Sequence, residues 1–264
     1  MKLPYFQVDA FTSRPFAGNP AGVCLLDHWL PDSLLQAIAS ENNLSETAFL
    51  VPRGSDFELR WFTPKIEVDL CGHATLASAF VLFNQYQAIG DVVRFQSRRS
   101  GLLTVARRGD MLELDFPSRP PEPCRAPDRL VPALGAQPAE ILRARDYLCV
   151  FENEAEIRAL QPLFAELAAL DLHATIVTAP GTDCDFVSRF FAPAAGIDED
   201  PVTGSAHCTL IPYWSRRLGK TRLSARQVSR RGGELFCRDA GERVGIGGHA
   251  VLHIRGEIHI PDTV

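Results

Sequence analysis

Three short stretches hold the residue types that acid/base chemistry needs. The first is Asn42-Asn43-Leu44-Ser45-Glu46-Thr47-Ala48-Phe49. The Asn pair suits a turn and the following residues suit a strand, so Glu46 falls at a loop-to-strand junction between Leu44 and Phe49. A carboxyl group partly withdrawn from water there is equipped to move a proton. The competing reading is an ordinary solvated Glu at a strand edge. The second stretch is Cys71-Gly72-His73-Ala74. A small-residue turn opening a helix leaves backbone N–H groups free for an anion, with the positive end of the helix dipole behind them. His73 at such a start is favoured as neutral imidazole, and a thiol there, as at Cys71, can have a lowered pKa. The third stretch is Asp198-Glu199-Asp200-Pro201-Val202-Thr203-Gly204-Ser205. Its acids complement a helix start. Asp200 also suits orienting a substrate amine or hydroxyl, or holding His73, and Ser205 suits binding a carboxylate. For each turn taken alone, an ordinary helix cap is the competing reading.

The elements that must position these groups are written twice. Arg60-Trp61-Phe62-Thr63-Pro64 matches Arg189-Phe190-Phe191-Ala192-Pro193, 129 residues later, and Gly72-His73-Ala74 matches Gly204-Ser205-Ala206. Each copy reads as a half-buried strand ended by Pro, an acidic loop, and an apolar helix of about 72–83 or 204–214. A repeat at half the chain length points to two similar lobes rather than a solenoid. Two helix starts facing each other across a cleft would hold a small carboxylate. The counterpart of Cys71 in the repeat is Thr203, which excludes a racemase with one thiol on each face of a carbon.

The chain has 264 residues, 46% hydrophobic and 22% charged, which suits one large domain or two lobes and can bury a sizeable core. A net charge of −5 gives no footprint for nucleic acid or an anionic membrane, and no apolar run reaches membrane-spanning length. The N-terminus lacks the apolar core of a signal peptide. Seven scattered Cys, an odd number without a C-x-x-C pair, favour free thiols in a cytoplasmic protein and disfavour structural zinc. No metal is expected. Asp32 or Ser33 is expected to cap a first helix, and 92–96, 102–107 and 111–116 to form a meander. Seven prolines between Pro117 and Pro138 mark a linker. This puts the lobes at 1–118 and 119–264, with the question open whether the last strand returns to the first lobe.

Five motifs in order, Phe16-Ala17-Gly18-Asn19-Pro20-Ala21-Gly22-Val23, Leu44-Ser45-Glu46-Thr47-Ala48-Phe49, Arg60-Trp61-Phe62-Thr63-Pro64, Cys71-Gly72-His73-Ala74-Thr75 and Glu199-Asp200-Pro201-Val202-Thr203-Gly204-Ser205-Ala206, resemble the phenazine-biosynthesis PhzF family. The resemblance implies an α+β fold like that of diaminopimelate epimerase. Its two pseudo-symmetric lobes are each a barrel-like, mostly antiparallel sheet around a central helix, with the active site between them. It implies a cofactor-independent isomerase, often a homodimer, acting on a small carboxylate. In the family's name-giving enzyme that substrate is trans-2,3-dihydro-3-hydroxyanthranilate. Carried over by motif, Glu46 corresponds to the acid/base that shuttles the proton. His73, Asp200 and Ser205 correspond to residues that position the substrate and assist the shift, with His73 and Asp200 counted as catalytic beside Glu46, and the backbone at Gly72 and Gly204 helps bind its carboxylate. Two other functions fit the residues: a dehydratase or racemase of an amino or hydroxy acid using Cys71, and a metabolite-binding protein without turnover.

Overall fold

Strand after strand in this chain follows one plan, used twice. The computed structural model describes residues 1–85 and 90–261. They form two units, residues 1–115 with 247–264, and residues 116–246. The fold is α+β. No helix among the described residues is long and apolar enough to cross a membrane.

The first unit opens with β1 (Lys2–Ala10), β2 (Asn19–Leu25), α1 (Asp32–Asn42), β3 (Glu46–Arg53), β4 (Asp56–Phe62) and β5 (Glu67–Val68). Then come α2 (Gly72–Gln85), β6 (Val92–Ser97), β7 (Gly101–Arg108) and β8 (Met111–Pro117). β2 lies parallel to β3 and β4 parallel to β6, while β3–β4, β4–β5, β6–β7 and β7–β8 are antiparallel. α2 is apolar nearly all round and packs against β1, β2, β3 and β7, as a helix inside a wrapped sheet must. On the outer side, α1 lays Leu35 and Ile38 on a cluster with Phe49, Val51 and Phe62. Asp32 does not cap α1. Its carboxylate instead accepts from Arg60 Nη1 at 2.8 Å, and Pro31 takes the cap position.

The second unit contains β9 (Glu122–Pro123), α3 (Leu130–Leu134), β10 (Glu140–Arg143), β11 (Tyr147–Val150), α4 (Glu154–Ala159), α5 (Phe164–Leu167) and β12 (Thr175–Pro180). It continues with β13 (Phe186–Ala192), β14 (Ile197–Asp200), α6 (Gly204–Leu218), β15 (Arg222–Gln227), β16 (Gly233–Asp239) and β17 (Arg243–Gly248). The pairings repeat those of the first unit. β11–β12 and β13–β15 are parallel, and β12–β13, β13–β14 and β15–β16 are antiparallel. The proline-rich stretch is not a linker. It carries β9 and α3, and Leu130, Ala133 and Leu134 are fully buried in a cluster with Phe151 and Phe191. Prolines there stiffen packed chain rather than free chain. Pro212 sits inside α6, where it cannot donate to the Cys208 carbonyl. The main-chain N–H of Arg119 donates to that carbonyl instead, at 2.8 Å.

The repeat extends to side chains. Arg60 grips Glu67 through Nε and Nη2 at 2.7 and 2.6 Å, and Arg189 grips Glu199 the same way at 2.7 and 3.0 Å. Each guanidinium lies over the ring two residues on, Phe62 at 4.9 Å and Phe191 at 5.0 Å. These clamps hold the acidic loop that leads into α2 or α6.

The final strand, β18 (Ala250–His259), pairs antiparallel with β1 along its whole length and belongs to the first unit. The ends are joined as well, with the Ile260 N–H donating to the Met1 carbonyl at 2.9 Å.

Candidate functional site

In the first unit three elements bring their ends to one buried point. α1 stops because Asn43 takes a left-handed conformation, φ 48°, which turns the chain into β3 with Glu46 as its first residue. β2 runs parallel beside it, with Ala21 opposite Glu46. Asn19 opens β2 behind Gly18, whose φ is 65° and whose place a Cβ would fill only 2.2 Å from the Ala10 carbonyl oxygen. Only glycine lets the chain cross β1 that closely. His73 is the second residue of α2.

Glu46, His73 and Asn19 are all buried. His73 Nε2 lies 3.1 Å from Glu46 Oε2. Its other nitrogen, Nδ1, faces Asn19 Nδ2 at 3.0 Å and Cys71 Sγ at 3.5 Å. The Nε2–Oε2 contact is close but not aligned, so both buried atoms still lack a hydrogen-bond partner. A buried donor and acceptor left open side by side invite a third group.

Burial alone pushes the His73 imidazole down, but the negative neighbours Cys71 and Glu46 outweigh it and hold His73 well above its usual value. Burial, with Glu46 beside it, pushes the Cys71 thiol up to about 11. This corrects two sequence expectations. The shift of His73 runs upward rather than towards a neutral imidazole, and the thiol is raised rather than lowered. Sγ instead accepts from the Ala74 N–H, so Cys71 caps α2 in its protonated form. Glu46, Cys71 and His73 have potential ligand atoms within 4.8 Å of one another. They suit a single metal ion poorly, since the thiol lies off Nδ1 and the carboxylate off Nε2, and one ion reaches only one ring nitrogen.

In the second unit Asp200 ends β14, buried, with its Oδ2 accepting from the Thr203 hydroxyl. Gln227 on β15 templates the loop. Its Nε2 donates to the Asp200 carbonyl at 2.7 Å and to Thr203 Oγ1 at 3.2 Å, and its Oε1 accepts from the Thr203 N–H at 2.8 Å. Gly204 starts α6 and is buried, and Ser205 beside it is half-buried. One turn on, His207 Nδ1 bonds the Thr203 carbonyl at 2.8 Å, and burial lowers its imidazole to about 4. Thr75 Oγ1 makes the same backward bond to the Cys71 carbonyl in α2, at 2.5 Å.

Thus Glu46, Gly72 and His73 gather in the first unit, and Asp200, Gly204 and Ser205 in the second. Sequence reasoning assigned no role to Asn19 or Gln227. The Gly-Asn-Pro frame around Asn19 was a usable signal, while a lone Gln in a strand gives none.

A family model described as phenazine biosynthesis-like protein, PhzC-PhzF, matches residues 8–256. An uncharacterized isomerase of Pseudomonas aeruginosa is 56% identical over 260 residues, covering 98% of this chain and 100% of that one. The crystal structure of a PhzF-family phenazine biosynthesis protein from Enterococcus faecalis is 50% identical, with a TM-score of 0.95 over 98% of this chain and 100% of that one. A predicted epimerase from Pseudomonas aeruginosa, 20% identical, shares the fold with a TM-score of 0.73 over 98% and 100% of the two chains.

Proposed function

We propose that this chain, which belongs to the PhzC-PhzF family of phenazine biosynthesis-like proteins and is an isomerase-type enzyme, shifts a proton between two carbons of a small carboxylate substrate with Glu46 as general acid/base. The observation that carries this reading is the pair of buried, unaligned atoms Glu46 Oε2 and His73 Nε2, 3.1 Å apart. The Glu46 carboxyl group is held beside His73 in a buried position. That carboxylate takes a proton from one substrate carbon, and the electron pair of the broken C–H bond moves into the adjoining π system. Glu46, now a carboxylic acid, returns the proton to a second carbon and the double bond has moved. Atoms and charge balance without a co-reactant, and one acid/base group suffices when both carbons lie on the same face. His73 orients Glu46 and offers Nε2–H to charge that develops on the substrate.

Within the first unit the N–H groups at the start of α2, from Gly72, suit a carboxylate, and within the second unit the start of α6, from Gly204, with the Ser205 hydroxyl beside it, offers the same chemistry. Asp200 serves as a fixed acceptor for a substrate amine or hydroxyl. A dehydratase or racemase based on Cys71 loses support, because the thiol stays protonated and caps α2.

The test is deuterium incorporation from D₂O, read by NMR on trans-2,3-dihydro-3-hydroxyanthranilate and small cyclic or amino carboxylates. Glu46→Gln is expected to lower exchange by about 10²–10⁴-fold while ligand binding persists. Unchanged exchange in that variant removes Glu46 from the chemistry.

A further inference from the structure

We propose that a cavity of about 490 Å³ in the second unit, faced by Arg125, Arg129 and Arg143, binds a phosphate monoester of a small hydroxylated molecule. The site is independent of the acid/base assignment, since no residue that lines it belongs to the candidate functional site. Its arginines come from three places in the chain. Arg125 lies just beyond β9, Arg129 directly precedes α3, and Arg143 ends β10. Across the sheet Arg143 stands opposite Glu122 of β9 on one side and Tyr147 of β11 on the other, so the three share a face. A glutamate in that register is well placed to pair with it. It does not. Among the described residues, Arg125 and Arg143 make neither an ion pair nor a side-chain hydrogen bond. Exposed arginines elsewhere do find acids: Arg99 Nη1 lies 2.6 Å from Asp69 and Arg158 Nη2 lies 2.6 Å from Glu154. Arg129 is only loosely held, 3.6 Å from Glu166. Guanidiniums with donors to spare around one cavity suit an anion, and their planar fork matches phosphate oxygens.

The other lining residues select the body of the ligand. Tyr147, buried, donates its hydroxyl to Asp171 Oδ1 at 2.6 Å. Burial, with the Asp171 carboxylate beside it, raises the phenol, so it stays a donor. That bond fixes Asp171 at the cavity wall and leaves Oδ2 to accept from a hydroxyl group. Asp128 also lines the cavity and is a second acceptor. Three arginines against two aspartates leave one positive charge to spare. The aspartates disfavour a polyanion by like-charge repulsion. They suit a single phosphate group whose neighbours on the ligand are hydroxyls. Inorganic phosphate alone reaches the arginines but gives the aspartates no such partners. Ala126 and Leu170 offer the body of the ligand an apolar contact surface. The volume lies within the roughly 300–1,000 Å³ of small-molecule sites.

The experiment is isothermal titration calorimetry of the whole chain with ribose 5-phosphate, glycerol 3-phosphate and adenosine 5′-monophosphate, beside ribose and inorganic phosphate. At least one of the three esters should bind saturably and more tightly than inorganic phosphate, and ribose should not bind. Arg125→Gln and Arg143→Gln should each weaken that ester by about tenfold or more. Both side chains are exposed and unpaired, so the fold should persist, which unchanged melting curves would check. Arg108→Gln removes the same charge from an exposed position in the first unit and should leave binding unchanged. Silence of all three esters overturns the proposal. So does an ester that binds no more tightly than inorganic phosphate, one indifferent to Arg125→Gln and Arg143→Gln, or one weakened equally by Arg108→Gln.

Discussion

Burial and charge compete at His73, and the direction of the outcome has measurable consequences. A raised imidazole stabilises the folded state fully below its unfolded value of about 6.5, and that contribution is lost as pH rises through the raised folded value. The melting-temperature gap between wild type and His73→Gln is therefore expected to be widest near pH 6 and to narrow in alkali (about pH 6, from the unperturbed value). A gap that stays constant with pH would show that the imidazolium–carboxylate pair does not form. Cys71 makes a contrasting prediction. It acts as a cap, so Cys71→Ser should keep deuterium exchange within about tenfold of wild type while costing no more than about 1 kcal/mol in denaturant melts. Loss of exchange on the scale expected for Glu46→Gln would restore the thiol to the mechanism.

At the scale of elements, the repeated Arg–Glu clamp does more in the second unit than the sequence suggests. Arg189 Nη1 also donates to the carbonyls of Ile157 and Leu160 at 3.0 and 2.9 Å, which are the free carbonyls at the end of α4. Lysine has the charge but not the fork. Arg189→Lys is expected to cost about 1–3 kcal/mol, with faster amide exchange in α4, because buried acceptors are left open. The clamps themselves were legible, since each Arg stands at the same place in a strand pattern written twice. Glu46 and His73 were legible too, one by its junction between turn and strand and the other by its helix start. Gln227 was not, because what defines it is a partner 24 residues away, and for Asn19 the Gly-Asn-Pro frame was the one signal, its partner lying 54 residues away. Composition misled at Pro117–Pro138, where proline density outweighed the buried pair Leu130 and Leu134. It misled again at Asp32, where a position suited to capping lost to an arginine 28 residues away. In each miss a long-range contact overrode a local rule.

On the scale of the whole molecule, the two units differ in how the chain supplies them. Residues 116–246 are one continuous run, whereas the first unit needs residues from both ends. A chain stopped after residue 246 lacks β18 and leaves β1 without that partner. Hydrogen exchange should then be fast in β1 and still slow in β12 and β13, which pair within the second unit. Uniform protection in the shortened chain would show that β18 is dispensable.

The pairing of β1 with β18 also sets a timetable. On the ribosome, residues 2–10 emerge first and the strand they bond to emerges last, about 250 residues later, at roughly 5–20 residues each second. Throughout that interval β1 waits with one side uncovered, and the second unit is complete only when residue 246 has emerged, just before β18. Nascent chains of this protein therefore spend most of their synthesis half-finished, and it is in that window that chaperones would have the most to hold.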